Sequence, residues 1–302
     1  MATLDSAALD KSLPHEWQAL GFAPGFSLRV FGMRRSGNHA ILSWLQRNAP
    51  GGRSVFLNNC KPGTDPLQNS RGIEVNAAHA SQNKARRDMV AVTRKAADGA
   101  LFLVSYEDTS PAEFGVSGKI SGTVSGSFDE GLFSHNVLIY RSFLNWSASL
   151  LKKMQGNEGY TLVRRNAILL RTVDSYTRLL ELVRQARDLG LVAICYDRWV
   201  ASESYRATLL QDLGLQQRDN GLGKVQAYGG GSSFQKEAAS ATELQTDKRW
   251  AQMRGEPEYQ AVLHLAARDR ALMAALGALF PKDAAYLKSV AEQAPLPQGG
   301  IA

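Results

Sequence analysis

The sequence predicts an α/β fold, a three-layer sandwich built on a central, mostly parallel sheet. Three observations carry that reading. Short apolar runs bounded by turn residues recur along the chain, as strands buried on both faces require. Helical patterns alternate with these runs in the order strand, helix, strand. The first strand passes through a basic loop bracketed by glycines, Gly32-Met-Arg-Arg-Ser-Gly37, into a helix, which is how a nucleotide-type domain opens.

The elements follow in order. Residues 1–26 form a polar lead-in containing Gly and Pro. Phe26 to Phe31 reads as a strand, and Ala40 to Gln46 has helical spacing. Ser54 to Asn59 is a second strand, ended by Lys61-Pro62-Gly63. Residues 64–98 read as polar and mostly irregular, with one helix across 80–90. Gly99 to Tyr106 is a third strand. The Gly- and Ser-rich stretch 115–129 reads as a surface loop or small hairpin. Asn136 to Tyr140 is a strand, and Arg141-Ser142 leads into a helix through Trp146, Leu150 and Leu151. A long helix is expected over 165–188, capped by Gly190. Leu191 to Tyr196 is a further strand. A helix over 200–213 follows, capped by Gly214. After a glycine-rich stretch, two more helices are expected, the second over 257–279. No linker or internal repeat appears, so one domain over 1–302 is expected, with 1–26 and 290–302 peripheral.

Composition bounds the function. The chain has 302 residues, 35 Lys and Arg against 28 Asp and Glu, and a net charge of +7. Hydrophobic residues make up 44%, which excludes wholesale disorder. Two cysteines, Cys60 and Cys195, exclude a disulfide framework or a Cys-rich metal site. No run approaches the roughly 18 to 20 apolar residues of a membrane span. The first residues include Asp5, Asp10 and His15 and lack the order of a signal peptide, so a soluble, cytoplasmic protein is expected. The basic clusters Lys84 to Arg87, Lys152-Lys153 and Arg164-Arg165 are short. None has the form of a helix-turn-helix, a zinc finger or a stacking module, so no nucleic-acid partner is expected. A solvated Arg-rich surface accounts for much of the excess, and a buried anion site is the other account.

Local chemistry favours the anion site. Gly32 and Gly37 have phosphate-loop spacing, but the Lys and Ser or Thr that would follow are replaced by Asn38 and His39. Nucleoside triphosphate hydrolysis by that route is disfavoured. Arg34, Arg35 and Ser36 stand in the loop, and backbone N–H groups at a helix start bind oxyanions. Arg141 lies just past a strand, and Ser149 follows eight residues later, in the second helical turn. Both then face the crevice at the strand ends, where ligands sit in open parallel sheets. The plainer alternatives are a turn with exposed arginines and a helix-capping serine.

Together these segments resemble the sulfotransferases. Arg34-Arg35-Ser36-Gly37-Asn38-His39 is similar to that family's 5′-phosphosulfate loop, and Tyr140-Arg141 with Ser149 to its 3′-phosphate motif. Ala193-Ile-Cys-Tyr-Asp197 resembles its later strand. Gly230-Gly-Ser232-Ser233-Phe234, followed by Lys248-Arg249-Trp250, resembles the late loop over the adenosine. The resemblance runs from roughly residue 27 to 280. It implies a P-loop NTPase-like sandwich and sulfuryl transfer from 3′-phosphoadenosine 5′-phosphosulfate (PAPS) to a hydroxyl or amine, without a metal. Arg35 is then expected on the bridging oxygen and sulfuryl group, with Arg34 as the weaker candidate, and Phe234 against adenine.

The acceptor's proton needs a base. Glu107 is preferred, with Asp108 and His39 as rivals; His135 reads as structural. Asn58, Asn59 and Lys61 end the second strand on the acceptor's expected edge. Tyr196 and Trp199 read as core or support, and Trp44 and Trp146 as core. The acceptor is a small molecule, glycan or lipid, and the oligomeric state stays open. A P-loop kinase or other nucleotide-dependent phosphotransferase, and a nucleotide-binding protein without catalysis, remain the alternatives.

Overall fold

The computed structural model describes residues 19–109, 130–225, 234 and 244–293. Seven strands form one sheet: β1 (Phe26–Gly32), β2 (Ser54–Asn58), β3 (Gly72–Val75), β4 (Ala78–Ala80), β5 (Leu101–Glu107), β6 (His135–Tyr140) and β7 (Leu191–Cys195). Their spatial order is β4-β3-β2-β5-β1-β6-β7. Strands β2, β5, β1, β6 and β7 run parallel, while β3 and β4 add antiparallel at one edge.

Burial on both faces explains the continuous apolar strands. In β5, Leu101, Phe102, Leu103 and Val104 have no exposure at all. Successive side chains alternate between two cores, as strand geometry dictates. Phe102 and Val104 join one, Leu101 and Leu103 the other.

The helices are α1 (Asn38–Arg47), α2 (Pro66–Asn69), α3 (Gln82–Arg87), α4 (Met89–Thr93), α5 (Phe143–Gln155), α6 (Leu162–Arg184), α7 (Tyr196–Ala201), α8 (Glu203–Asp212), α9 (Arg249–Met253), α10 (Pro257–Ala266), α11 (Arg270–Leu279) and α12 (Pro281–Gln293). Trp44 of α1 and Leu210 of α8 cover one face. Trp146 of α5, Leu180 of α6 and Leu276 of α11 cover the other. Among the described residues, no helix is long and apolar enough to cross a membrane.

Several expectations need correction. Residues 64–98 are not mostly irregular: they hold β3, β4 and three short helices. The β3–β4 turn, Asn76-Ala77, has φ of 52° and 60°. Two left-handed residues make a tight hairpin, and the usual glycine signal is missing there. The helix expected over 200–213 is two helices, broken at Ser202, whose hydroxyl accepts from Tyr205 N. The helix over 257–279 breaks likewise before Asp269, which caps α11 through Leu272 N. Gly190 lies beyond the end of α6, immediately before β7. Gly214 does close α8: its φ is 68°, and Leu215 N bonds back to Leu210 O at 2.8 Å. Leu20, Phe22 and Val290 are buried, so the core reaches into both expected peripheral ends. The lead-in before residue 19, the 115–129 stretch and the tail after 293 lie outside the described residues.

The topology places a crevice. After β2 the chain returns to β5 on one side of β1, then crosses to β6 on the other. The loop that leaves β1 therefore lies between the carboxyl ends of β5 and β6. Helix α5 begins at this crevice. Its first turn is held by Ser142, which caps through Asn145 N, and by Asp283 of α12, which accepts from Leu144 N at 3.2 Å.

Burial pushes the Asp283 carboxyl up to about 6. Between pH 4 and 6 the folded protein keeps a proton there that the unfolded chain has released. Stability therefore falls as pH rises through that window, by about 2–3 kcal/mol in full. Asp283→Asn should remove this component. Denaturant unfolding of both proteins from pH 4 to 7 should show the wild type losing stability relative to the variant up to pH 6, with a constant difference above it. Parallel curves across the range would contradict the assignment.

Candidate functional site

The loop between β1 and α1 takes its shape from contacts that need glycine. A Cβ on Gly32 would lie 2.4 Å from Asn38 Oδ1. Gly37 has φ of 92°, and a Cβ there would lie 2.1 Å from the Tyr196 ring. Ser36 N closes a turn onto Met33 O at 3.1 Å. Between them Arg35 sits at φ 71°, a strained region for a non-glycine residue. The carbonyls on either side of this strain are engaged: Trp146 Nε1 donates to Arg34 O at 3.2 Å, and Arg141 Nη1 to Arg35 O at 3.3 Å.

The two loop arginines diverge. Arg34 pairs with Asp108, whose carboxylate also accepts from Arg34 N at 2.8 Å. Asp108 is thereby committed to shaping the loop. Arg35 turns the other way, and its Nε donates to Ser149 Oγ at 3.2 Å.

Ser149 gathers a second arginine. Arg249 Nη1 donates to the same hydroxyl at 3.2 Å. Arg141 completes the group. Its guanidinium lies 4.9 Å from the Tyr196 ring centre, with Nε 3.8 Å from Asp197 Oδ1 and Nη2 bonded to Thr246 O. Ser149, Arg141 and Arg249 are buried, and Arg35 is partly exposed. Burial, and then the neighbouring Arg141 charge, lower the Arg35 pKa and bring Arg249 down to about 9. Buried like charges are costly unless an anion offsets them. Beside the acceptor Asn38 Oδ1, three potential donors buried here have no hydrogen-bond partner among the described residues: Ser36 Oγ, Arg141 Nε and Arg249 Nε. Such orphans call for an account, and an oxyanion supplies the acceptors they lack.

Glu107 ends β5 directly beside Gly32 of β1. Its Oε1 accepts from Asn38 Nδ2 at 3.2 Å and its Oε2 from Asn59 Nδ2 at 3.2 Å. His39 Nε2 lies 3.7 Å from Oε1. Burial lowers the His39 pKa and outweighs the attraction of Glu107, so the imidazole is neutral at pH 7. A neutral imidazole can accept a proton.

A cavity of about 540 Å³ joins these parts. Arg34, Arg35, Arg71, Arg141, Lys153, Lys224 and Arg249 line it, against the carboxylates Glu107 and Asp108. Among the described residues, seven cations face two anions there, an excess complementary to a negatively charged group. Leu150, Met154 and Ile168 give part of the wall an apolar character. Among the described residues, no three His, Cys, Asp or Glu are grouped to hold a metal ion.

The structure thus brings Arg35, Arg141, Ser149, Asn38, His39 and Glu107 to one crevice. Ser149 lies in the second turn of α5, and Ser142 is that helix's cap. Ser36 lies buried under the loop. Asn38 turns its amide inward, to Met33 O and Glu107. Phe234 packs with Arg249, the guanidinium 5.6 Å from the ring centre. Ser232 and Ser233 lie outside the described residues. Trp44, Trp146 and Trp199 are core. Asn59, expected at the acceptor's edge, instead holds Glu107 through its amide. Arg71 and Arg249 have no site role in the sequence reading, and only Lys248-Arg249-Trp250 carries a signal there.

Compared with protein-family models, curated proteins and solved structures, the chain gives no match.

The loop geometry is testable. Gly37→Ala meets both a left-handed φ and the Tyr196 ring. Gly190→Ala meets a φ of 66° but nothing within 4 Å. Gly190→Ala should cost about 1 kcal/mol in denaturant unfolding, and Gly37→Ala clearly more. Equal costs would mean that the Tyr196 contact does not confine the loop.

Proposed function

We propose that the protein transfers a sulfuryl group from PAPS to a hydroxyl or amine of an acceptor. One observation carries the reading: Arg35 and Arg249 both donate to Ser149 at the sheet's crevice, with Arg141 bonded to the Arg35 carbonyl, next to a loop whose Walker residues are replaced by Asn38 and His39. The strand order β2-β5-β1-β6-β7 around that loop supports the finer assignment of a P-loop NTPase-like sandwich.

The donor carries anionic groups at two ends, and the site offers cations for both. Arg35, Ser36 and the first-turn N–H groups of α1 would hold the 5′-phosphosulfate. Arg141, Ser149 and Arg249 would hold the 3′-phosphate, with Phe234 beside the adenine. The orphaned atoms Ser36 Oγ, Arg141 Nε and Arg249 Nε fit such oxyanions. When bound, PAPS supplies a sulfuryl group activated by a phosphate leaving group. Arg35 stabilises negative charge at the bridging oxygen, in a site already partly closed to water. Glu107 takes the acceptor's proton, held in place by the Asn38 and Asn59 amides. His39 is the rival base at its side.

Calorimetry with 3′-phosphoadenosine 5′-phosphate (PAP), and separately with ATP plus magnesium, tests the donor. PAP should bind and ATP bind far more weakly. Arg141→Ala should weaken PAP by at least about tenfold, the scale of a lost charge-assisted hydrogen bond. Tight ATP binding with no PAP binding would favour a kinase or other phosphotransferase. PAP binding without turnover on any acceptor would favour a binding protein.

The base is tested separately. Glu107→Gln should reduce turnover by about 10²–10⁴ while sparing PAP affinity. Full activity in that variant, with loss in His39→Gln, would move the role to His39.

A further inference from the structure

We propose that the acceptor is an anionic carbohydrate, whose phosphate or carboxylate is held by Arg71 while its hydroxyl meets Glu107. This rests on the transfer reading above and names the acceptor class for it.

The order of strand ends along the crevice carries the inference. Arg71 N bonds to Asn58 O at 2.8 Å, which fixes Arg71 at the carboxyl end of β2. Moving across the sheet, Glu107 ends β5, the basic loop leaves β1, and Arg141 follows β6. Arg35, Arg141 and Arg249 therefore lie on one side of Glu107, and Arg71 on the other, in the same cavity. A proton acceptor between two cationic sites separates two anions. The donor takes the converging arginines, so the second anion belongs to the molecule that loses the proton.

The charge of the surrounding segment points the same way. Residues 59–98 hold seven Lys and Arg against four Asp and Glu. The four acids are engaged elsewhere. Asp65 accepts from Leu67 N, Asp88 from Ala91 N and Asp98 from Ala23 N. Glu74 accepts from Gln46 Nε2 at 2.9 Å and faces His79. Lys61 and Arg71 are exposed, and no carboxylate among the described residues pairs with either. Their backbones are fixed: Lys61 N donates to Asn69 Oδ1 at 2.6 Å, and Arg71 is bonded to β2. Gln82 Nε2 donates to Ser70 O at 3.1 Å, which ties the start of α3 to the residue before Arg71.

Carbohydrate is favoured over a lipid headgroup by what surrounds this end. Asn59, His39 and Arg71 present polar groups there. The large exposed apolar residues of the described chain, Leu162, Val163, Leu170 and Leu265, are all on α6 and α10. A lipid would leave its chains without apolar cover beside Arg71.

The test uses the full chain saturated with PAP. It is titrated with hyaluronan tetrasaccharide and its carboxyl-reduced form, with glucose 6-phosphate and glucose, and with phosphatidylglycerol vesicles. In at least one sugar pair the anionic member should bind about tenfold or more tightly than its neutral partner. Arg71→Gln should remove that preference and Arg71→Lys retain part of it, both with wild-type PAP affinity and melting temperature. Equal affinities within both pairs, no sugar binding, binding to vesicles alone, or a preference that survives Arg71→Gln would each overturn the proposal. Failure of PAP itself to bind would overturn the transfer reading first. PAP binding without sugar discrimination overturns this inference alone.

Discussion

Arg35, Arg141 and Arg249 crowd together, two of them on one serine hydroxyl, and much of the surrounding structure serves to make that tolerable. Like charges in a poorly solvated site repel one another and lose hydration. The fold offsets part of this with oxygen acceptors and a ring face. Arg141 has the carbonyls of Arg35 and Thr246, the Tyr196 ring and the more distant Asp197. Asp197 also accepts from Ser142 N at 2.7 Å, so one carboxylate ties the Arg141 neighbourhood to the start of α5. Tyr176, buried in the core, donates to Arg141 O at 2.6 Å. The cluster is thus anchored through β6, α5, α6 and the segment entering α9.

The same constraint sorts neighbouring residues into different roles. Arg34 and Arg35 are adjacent, yet one pairs with Asp108 and the other reaches Ser149. The left-handed backbone at Arg35 reverses the loop between them. Glu107 and Asp108 divide in the same way. Glu107 is the last residue of β5 and is held by two asparagine amides; Asp108, at φ 54°, leaves the strand and fastens the loop. Tyr196 stands where β7 gives way to α7 and fills the space that a side chain at position 37 would need. Glycine at 37 is therefore required by packing as much as by ligand approach.

What could be read in advance follows interaction range. The parallel strands were legible because burial on both faces writes itself as continuous apolar runs, as in Leu101 to Val104. Strands β3 and β4 were not: they have four and three residues, and Asn76-Ala77 turns between them without a glycine. Single capping residues, Ser202 and Asp269, broke helices that periodicity alone continues. In the site, the Gly32–Gly37 bracket and the Arg141–Ser149 interval are local and could be seen. Arg249 meets Ser149 across 100 residues of sequence; the likeness of Lys248-Arg249-Trp250 to a late loop marked the segment, but no local pattern announces its partner. Asn59 reaches Glu107 across 48 residues in the same way.

The net charge of +7 says nothing about where cations are placed, and placement decides what they do. Arg249 and Arg141 are desolvated in the folded chain, and the Arg249 pKa is lowered, so they oppose folding until an anion arrives. A ligand that binds only the folded state then adds its binding free energy to stability. Lys61 and Arg71 remain hydrated and lose little while unoccupied. An anion held by such exposed cations is screened by salt within about 10 Å and is released easily. Burial on one side of Glu107 and exposure on the other therefore separate cations that would hold an anion firmly from cations that would exchange it readily.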